Sequence, residues 1–218
     1  MLAALNEEEG IGITINELKQ YLPQSEILVV DGNSQDETVT IAERLGATIL
    51  RQEGKGKGDA IGFAIKHIAH NYDYVVLIDA DYTYPAAYIP EMVDILEENP
   101  EIGMVCGNRF NCHLELGAMK DIFYVGNKII SFTHNLMNGV NLLDPLTGLR
   151  VIRWEIIKNM SPKSAGFDIE VELNHHVERK GFTIKEIDIP YRTRAGEKKL
   201  KMRHGFTILK RILRESLY

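Results

Sequence analysis

Along the first hundred residues, short apolar runs alternate with stretches whose apolar positions recur every three or four residues, and each run ends in polar residues. Met1 to Leu5 reads as the end of a strand that leads into Asn6-Glu7-Glu8-Glu9. Ile11, Ile15, Leu18 and Leu22 keep the spacing of one helix face, and Pro23 closes that helix. Ile27-Leu28-Val29-Val30 predicts a second strand, broken by Asp31-Gly32-Asn33-Ser34. Asp36 and Thr38 then open a helix that runs through Leu45 and stops at Gly46. Thr48-Ile49-Leu50 is a short third strand. Beyond the cationic loop Gly54-Lys55-Gly56-Lys57-Gly58-Asp59-Ala60, a helix face is marked by Ile61, Ala64, Ile65 and Ile68. Val75-Val76-Leu77-Ile78 follows. It is the pattern of a strand buried on both faces, and it ends in Asp79-Ala80-Asp81.

This alternation predicts an α/β fold, a mostly parallel sheet with helices on both sides. Right-handed crossovers bring the C-terminal ends of such strands to one edge. Glu7, Asp31, the lysine loop and Asp79 with Asp81 therefore converge on one rim, where ligands of open α/β sheets bind. Two carboxylates one residue apart offer hard oxygens suited to Mg2+ or Mn2+. So short a motif also fits an ordinary acidic turn, and its surroundings have to decide. No G-x-G-x-x-G follows the first strand and no Walker A motif is present, which disfavours nicotinamide and P-loop chemistry.

After Asp81 the alternation loosens. Ile89 to Leu96 predicts a helix, and Ile102 to Gly107 a strand ending at Asn108-Arg109. Leu116 to Leu143 is helical in period and poor in charge, with Phe123, Tyr124, Ile129, Ile130, Phe132, Leu136 and Met137. Two readings stay open for it: a core helix packed on the sheet, or a helix lying at a membrane interface or lining a lipid groove. Asp144 to Leu149 is a turn into a strand at Arg150 to Ile152. Gly166-Phe167-Asp168-Ile169-Glu170 opens a helix, and Ile184 to Ile189 alternates as a strand.

Composition narrows the class. With 218 residues, 44% hydrophobic, and no repeat or linker, the chain reads as one domain. A net charge of −6 argues against general affinity for nucleic acid. The charge is uneven: Lys198, Lys199, Lys201, Arg203, Lys210, Arg211 and Arg214 form a basic tail. That tail suits phosphates or an anionic membrane, or simply a solvated helix face. Cys106 and Cys112 make no metal pattern and fit a reduced cytosolic setting. With no targeting segment and no apolar run of about eighteen residues, the expectation is a soluble or peripheral protein.

Seven segments in this order resemble the family 2 glycosyltransferases of the GT-A fold, and among them the polyprenyl- or dolichyl-phosphate sugar synthases. They are Ala4-Leu5-Asn6-Glu7-Glu8, Val29 to Asp36, Gly56-Lys57-Gly58-Asp59-Ala60, Asp79-Ala80-Asp81, Gly107-Asn108-Arg109, Asp144 to Arg150, and Gly166 to Glu170. The resemblance implies a GT-A, Rossmann-like single domain, peripheral on the cytoplasmic face of a membrane, with 1–110 serving a nucleotide sugar and 111–218 an acceptor. It implies that Glu7 and Asp31 hold the nucleotide's base and ribose, that Lys57 frames its pocket, and that Asp79 and Asp81 hold the metal on the donor diphosphate. Arg109 matches a residue facing an acceptor phosphate, and Arg194, within Tyr191-Arg192-Thr193-Arg194-Ala195-Gly196, an arginine on a closing loop.

The implied reaction is inverting transfer of a hexose from GDP-mannose, UDP-glucose or UDP-GlcNAc to a dolichyl or polyprenyl phosphate. An anionic phosphate needs no strong general base, whereas a saccharide hydroxyl would need one, with Asp144, Asp168 and Glu170 as the available carboxylates. Transfer to such a hydroxyl, and a nucleotide-sugar-binding module without turnover, are the alternatives. The sequence departs from the family in places. Ala3 replaces a frequent proline in a first strand expected to be truncated or weak, and Thr83 replaces a frequent glutamine. Only Lys120 and Lys128 supply cations in the helix after Arg109, and the membrane helices that many relatives add are missing.

Overall fold

The computed structural model of the chain describes residues 1–68, 72–110, 130–136, 141–197, 199 and 202–216. Strands β1 (Leu2–Ala4), β2 (Leu28–Asp31) and β3 (Thr48–Arg51) pair in parallel in the order β1-β2-β3. Strands β4 (Tyr74–Leu77), β5 (Ile102–Asn108), β6 (Arg150–Arg153) and β7 (Thr183–Asp188) form a second set in the order β4-β6-β5-β7. Met1 stitches the two together: its amine donates to the Val76 carbonyl at 2.8 Å, and its carbonyl accepts from Ile78 N–H at 3.3 Å. Bonds from one residue to two neighbours two apart are the pattern of a parallel pair. The result is one layer running β3-β2-β1-β4-β6-β5-β7.

Strand β6 runs antiparallel to both β4 and β5, while β5 and β7 are parallel. The apolar pattern did not disclose that reversal, because a strand buried on both faces reads alike in either direction. All seven residues of β5 are buried, and successive side chains enter opposite cores. Val105 and Val151 join a cluster with Ile11 and Ile15 of α1 (Glu8–Tyr21) and Met92 and Leu96 of α4 (Ile89–Glu98). Met104 and Ile152 join Ile61 and Ile65 of α3 (Lys57–His67) and Leu173 and Val177 of α7 (Ile169–Arg179). Helices thus cover both faces. The short α2 (Thr38–Arg44) packs beside α1.

A turn of helix, α6 (Trp154–Ile157), follows β6 and was not foreseen. Of the apolar segment from Leu116 to Leu143, only helix α5 (130–136) and residues 141–143 are described; Lys120, Lys128 and Cys112 lie outside the described residues. Within α5, Ile130, Ser131 and His134 are buried, as a helix packed on the fold requires, while Phe132 and Leu136 are exposed. Most of the basic tail lies on α8 (Met202–Glu215), Lys199 precedes that helix, and Lys198 and Lys201 lie outside the described residues. Cys106 is a free, buried thiol, pushed up to about 12 by burial and therefore inert.

Candidate active site

Three strand ends turn through left-handed backbone at residues that are not glycine: Asn6 after β1 (φ 49°), Asn33 after β2 (φ 69°) and Tyr82 after β4 (φ 68°). Such conformations cost of order 1–3 kcal/mol apiece and persist only where the surroundings enforce them. All three lie on the rim named by the sequence pattern. The first turn of α1 rests directly on the acidic motif: a Cβ at Gly10 would stand 2.7 Å from both the Ala80 carbonyl oxygen and the Asp81 Cα. Only glycine fits there, and the fit brings the positive end of a 14-residue helix beside the carboxylates.

Asp79 keeps 31% side-chain exposure, whereas Asp81 keeps 5%. Burial raises the Asp81 carboxyl above its ordinary range, and the negative charge of Asp79 raises it further. Burial would also raise Asp79, but the Lys57 ammonium beside it prevails and holds it low. Lys57, the first residue of α3, reaches Asp79 at 2.6 Å and Glu170 at 2.7 Å. Gly148 lies so close to Asp79 that a Cβ there would meet Oδ2 at 2.4 Å. Asp81 accepts from the Thr83 hydroxyl at 2.5 Å and the Thr83 N–H at 3.1 Å. The departure at Thr83 therefore supplies the local cap that orients the second carboxylate.

The segment after β7 closes over this pair. Arg192 N–H donates to the Thr83 carbonyl and Ala195 N–H to the Asp81 carbonyl, both at 3.0 Å. Between them, the Arg194 guanidinium bridges Asp81, at 2.6 Å, and Glu7. Lys199 also reaches Glu7, at 2.9 Å, and donates to the Asn6 carbonyl at 2.6 Å. Burial nevertheless leaves the Glu7 carboxyl raised, and its Oε2 is buried without a partner. A 350 Å³ cleft opens beside these groups, lined by Asn6, Glu7, Gln35, Asp36, Gly196 and Lys199 among others. A larger cavity of 590 Å³ lies at the other end of the sheet, bordered by Leu2, Leu28, Thr48 and Tyr74, the first residues of four strands. It is remote from the carboxylates by topology.

Asp31 stands on the same rim but takes no part in this lattice. Its carboxylate accepts the Asn33 and Ser34 N–H groups at 3.1 and 3.2 Å and shapes the turn after β2. Arg109 is bound edge-on by Asp144, through Nε at 2.6 Å and Nη2 at 2.8 Å. Tyr191, Tyr84 and Phe110 surround its guanidinium, 5.2 to 5.9 Å from ring centre to Cζ. Asp168 is held by Arg211 of α8 at 2.9 Å and by the Ser164 hydroxyl at 2.9 Å. The three carboxylates weighed as general bases are thus each tied to a cation. Glu170 alone keeps a buried oxygen, Oε2, without a partner. Sequence reading missed the partners Glu170, Lys199 and Thr83, because each pairing except that of Thr83 joins residues far apart along the chain.

Among the described residues no cluster of three or more metal-binding side chains exists. The donor set still fits a divalent cation carried on a diphosphate. Two hard carboxylates repel each other at one strand end, and a cation relieves that repulsion, with phosphate oxygens and water completing its shell.

Comparison with known proteins agrees with this geometry. The profile of glycosyl transferase family 2 matches residues 1–160. A dolichyl-phosphate hexose transferase of Haloferax volcanii is 31% identical over 202 residues, covering 92% of this chain and 85% of that protein. Glycosyltransferase AglJ of the same organism is 34% identical over 187 residues, covering 85% of this chain but 60% of that protein. An undecaprenyl-phosphate mannosyltransferase of Micrococcus luteus is 26% identical over 216 residues, covering 92% of this chain and 86% of that protein. In structure, glucosyl-3-phosphoglycerate synthase of Mycobacterium tuberculosis, solved with Mn2+, UDP-glucose and phosphoglyceric acid, superposes with a TM-score of 0.77. It is 20% identical, with 99% of this chain and 78% of that one covered. Its likeness establishes the GT-A fold.

Proposed function

The chain belongs to glycosyl transferase family 2, and from that premise we propose that it transfers a hexose, mannose or glucose, from a nucleoside diphosphate sugar to a polyprenyl phosphate at the cytoplasmic face of a membrane. In this reading residues 1–110 hold the donor and 111–218 serve the acceptor. The relatives named for dolichyl- and undecaprenyl-phosphate acceptors support it. The single observation that favours a phosphate acceptor over a hydroxyl is the pairing of Asp144, Asp168 and Glu170 with Arg109, Arg211 and Lys57. A hydroxyl nucleophile needs a carboxylate free to take its proton; a phosphate oxygen is already anionic near neutral pH.

Residue roles follow. Asp79 and Asp81 would hold Mg2+ or Mn2+, which supplies Lewis-acid stabilisation of the departing diphosphate. Arg194 exchanges its carboxylate partners for diphosphate oxygens as the donor enters, adding a fixed positive charge where negative charge develops. Glu7, once released, and Asp31 accept hydrogen bonds from the base and ribose. Lys57 fixes Asp79 and is itself fixed by Glu170. Arg109, oriented by Asp144, presents Nη1 to the acceptor phosphate. An acceptor oxygen attacks the anomeric carbon, the bond to the diphosphate breaks on the opposite face, and the configuration inverts. No helix among the described residues is long and apolar enough to cross a membrane.

The test is incubation with labelled nucleotide sugar and polyprenyl phosphate in detergent, followed by extraction into organic solvent. Metal-dependent label in the organic phase is expected. Label confined to the aqueous phase removes the lipid-phosphate acceptor, and nucleotide binding without release of nucleoside diphosphate removes the reaction altogether.

A further inference from the structure

The most exposed large apolar side chains of the described residues are gathered on two helices. Phe206, Leu136 and Phe132 are 78%, 70% and 69% exposed, with Leu213 next at 49%. Phe132 and Leu136 belong to α5, and Phe206 and Leu213 to α8. The two helices share one small core, in which Ile130 of α5 and Ile208 and Ile212 of α8 pack with Val171 of α7. That core accounts for the inner face of α8 and leaves the outer face without a partner among the described residues.

The outer face has a definite chemistry. Phe206, Lys210, Leu213 and Arg214 are all exposed and follow one another at the spacing of a single helical stripe. The acid of this helix, Glu215, is turned inward and held by Arg179 at 2.9 Å and Arg211 at 3.3 Å. The charges that α8 shows to solvent are therefore cationic, on a chain whose net charge is −6. A purely apolar stripe would suit a groove on another protein. Apolar side chains interleaved with cations suit a surface that is anionic above and apolar beneath.

We infer that the outward face of α8, together with Phe132 and Leu136 of α5, docks on an anionic lipid bilayer. The apolar side chains enter the boundary between headgroups and acyl chains, and Lys210 and Arg214 meet lipid phosphates. The docked helix is tied to the site. Arg211 holds Asp168, and His204 lies against Phe167 with ring centres 5.1 Å apart. Two residues beyond Asp168, Glu170 holds the lysine that fixes Asp79. Delivery of a lipid phosphate to that rim rests on the proposed transfer; docking itself does not.

The experiment is co-sedimentation of the purified chain, without nucleotide, with vesicles of phosphatidylcholine alone or mixed with phosphatidylglycerol. The chain is expected to sediment with the mixed vesicles, less with phosphatidylcholine, and less as salt is raised. Replacing Lys210→Glu with Arg214→Glu lowers partition onto mixed vesicles at least about tenfold, since each cation near such a surface is worth about fivefold. Phe206→Glu with Leu213→Glu lowers partition at least about tenfold on both kinds. Both double variants keep their thermal midpoint and their transfer to polyprenyl phosphate in detergent. Should glutamate disturb α8, Phe206→Ser and Lys210→Gln read the same losses at smaller size. Wild-type chain that ignores mixed vesicles, variants that bind as the wild type does, or self-association through this face in place of vesicle binding would each overturn the inference. Vesicle binding without transfer in detergent leaves docking standing and removes the lipid acceptor instead.

Discussion

Acidic side chains are paired with cations in two regions of the molecule, and the two sets are built differently. On the rim, Asp79, Asp81 and Glu7 are met by Lys57, Arg194 and Lys199, whose side chains keep 15%, 24% and 27% exposure. Arg194 and Lys199 come from the connection after β7. Behind the rim, Arg211 and Asp168 are each 6% exposed, and Arg150, 1% exposed, spends its guanidinium on Asn174, Pro145 and Thr147 oxygens. A partly solvated pair can be traded for a ligand at little cost. A buried one cannot, because removing either partner strands a charge in the interior. Exchangeable pairs mark where a ligand enters, and buried ones mark what holds the frame.

The sharpest way to break that distinction is to remove a rim carboxylate. Asp81→Ala is expected to lower transfer on the order of a thousandfold, the size of losing a group that stabilises developing charge. Its thermal midpoint is expected to stay near that of the wild type, because Arg194 is released to solvent. Full transfer by this variant would show that the pair does not serve the diphosphate. The opposite pattern is expected from Arg211→Met: loss of about 3 kcal/mol in denaturant unfolding, with transfer falling only as the folded fraction falls. A stable Arg211→Met would place Asp168 among the exchangeable acids.

Arg194→Ala comes next in size. Transfer is expected to drop ten- to a hundredfold, while stability falls by about 1–2 kcal/mol, less than for Arg211→Met because Lys199 and Thr83 still partner Glu7 and Asp81. Binding of nucleoside diphosphate is expected to weaken alongside transfer. If binding of nucleoside diphosphate is unchanged, Arg194 is a latch on the carboxylates and not a ligand for phosphate.

The rim was legible from the sequence, and its partners were not, for physical reasons. Glu7, Asp31, Lys57 and Asp79 with Asp81 each follow an apolar run, and a parallel α/β layer has only one edge for such ends. Arg194 lies 113 residues from Asp81 and 187 from Glu7, a pairing that no local spacing encodes. The direction of β6 was hidden for a related reason: Arg150-Val151-Ile152 pairs with β4 and β5, and its burial pattern is indifferent to polarity. Thr83 is the instructive local case. It was read as a mere departure from the family, yet a hydroxyl two residues past an aspartate is a familiar cap for that carboxylate. Asp31 shows the converse, a residue correctly placed on the rim whose carboxylate is spent on its own turn.

The buried frame should also answer to pH. Burial holds the imidazoles of His134 and His175 down to about 4, helped by their mutual proximity at His134 and by Arg179 at His175. Their unfolded value is near 6.5. Between pH 6.5 and 4 the unfolded chain binds more protons, so this contribution to stability is intact above 6.5 and is lost as pH falls through that window. The raised carboxyls of Glu7, Asp81 and Glu186 act in the opposite sense. The histidine contribution is therefore read as a difference. His175→Gln should lose about 1–2 kcal/mol less than the wild type between pH 7 and 5 in urea titrations. Equal losses would mean that His175 is not held neutral by the fold.

The smallest effect concerns Arg192, which lies two residues from Arg194 in the same connection. Its guanidinium binds Glu17 at 2.7 and 2.8 Å and lies 4.4 Å from the centre of the Tyr82 ring. It touches none of the rim carboxylates, and at 29% exposure its ion pair is worth at most about 1 kcal/mol. Arg192→Ala is expected to lower the thermal midpoint by a few degrees at most and to leave transfer within about twofold of the wild type. The ring contact makes this the strictest control, since Tyr82 holds the left-handed turn just past Asp81. A loss as large as that of Arg194→Ala would mean that the whole connection, and not the one guanidinium that bridges Asp81 and Glu7, shapes the rim.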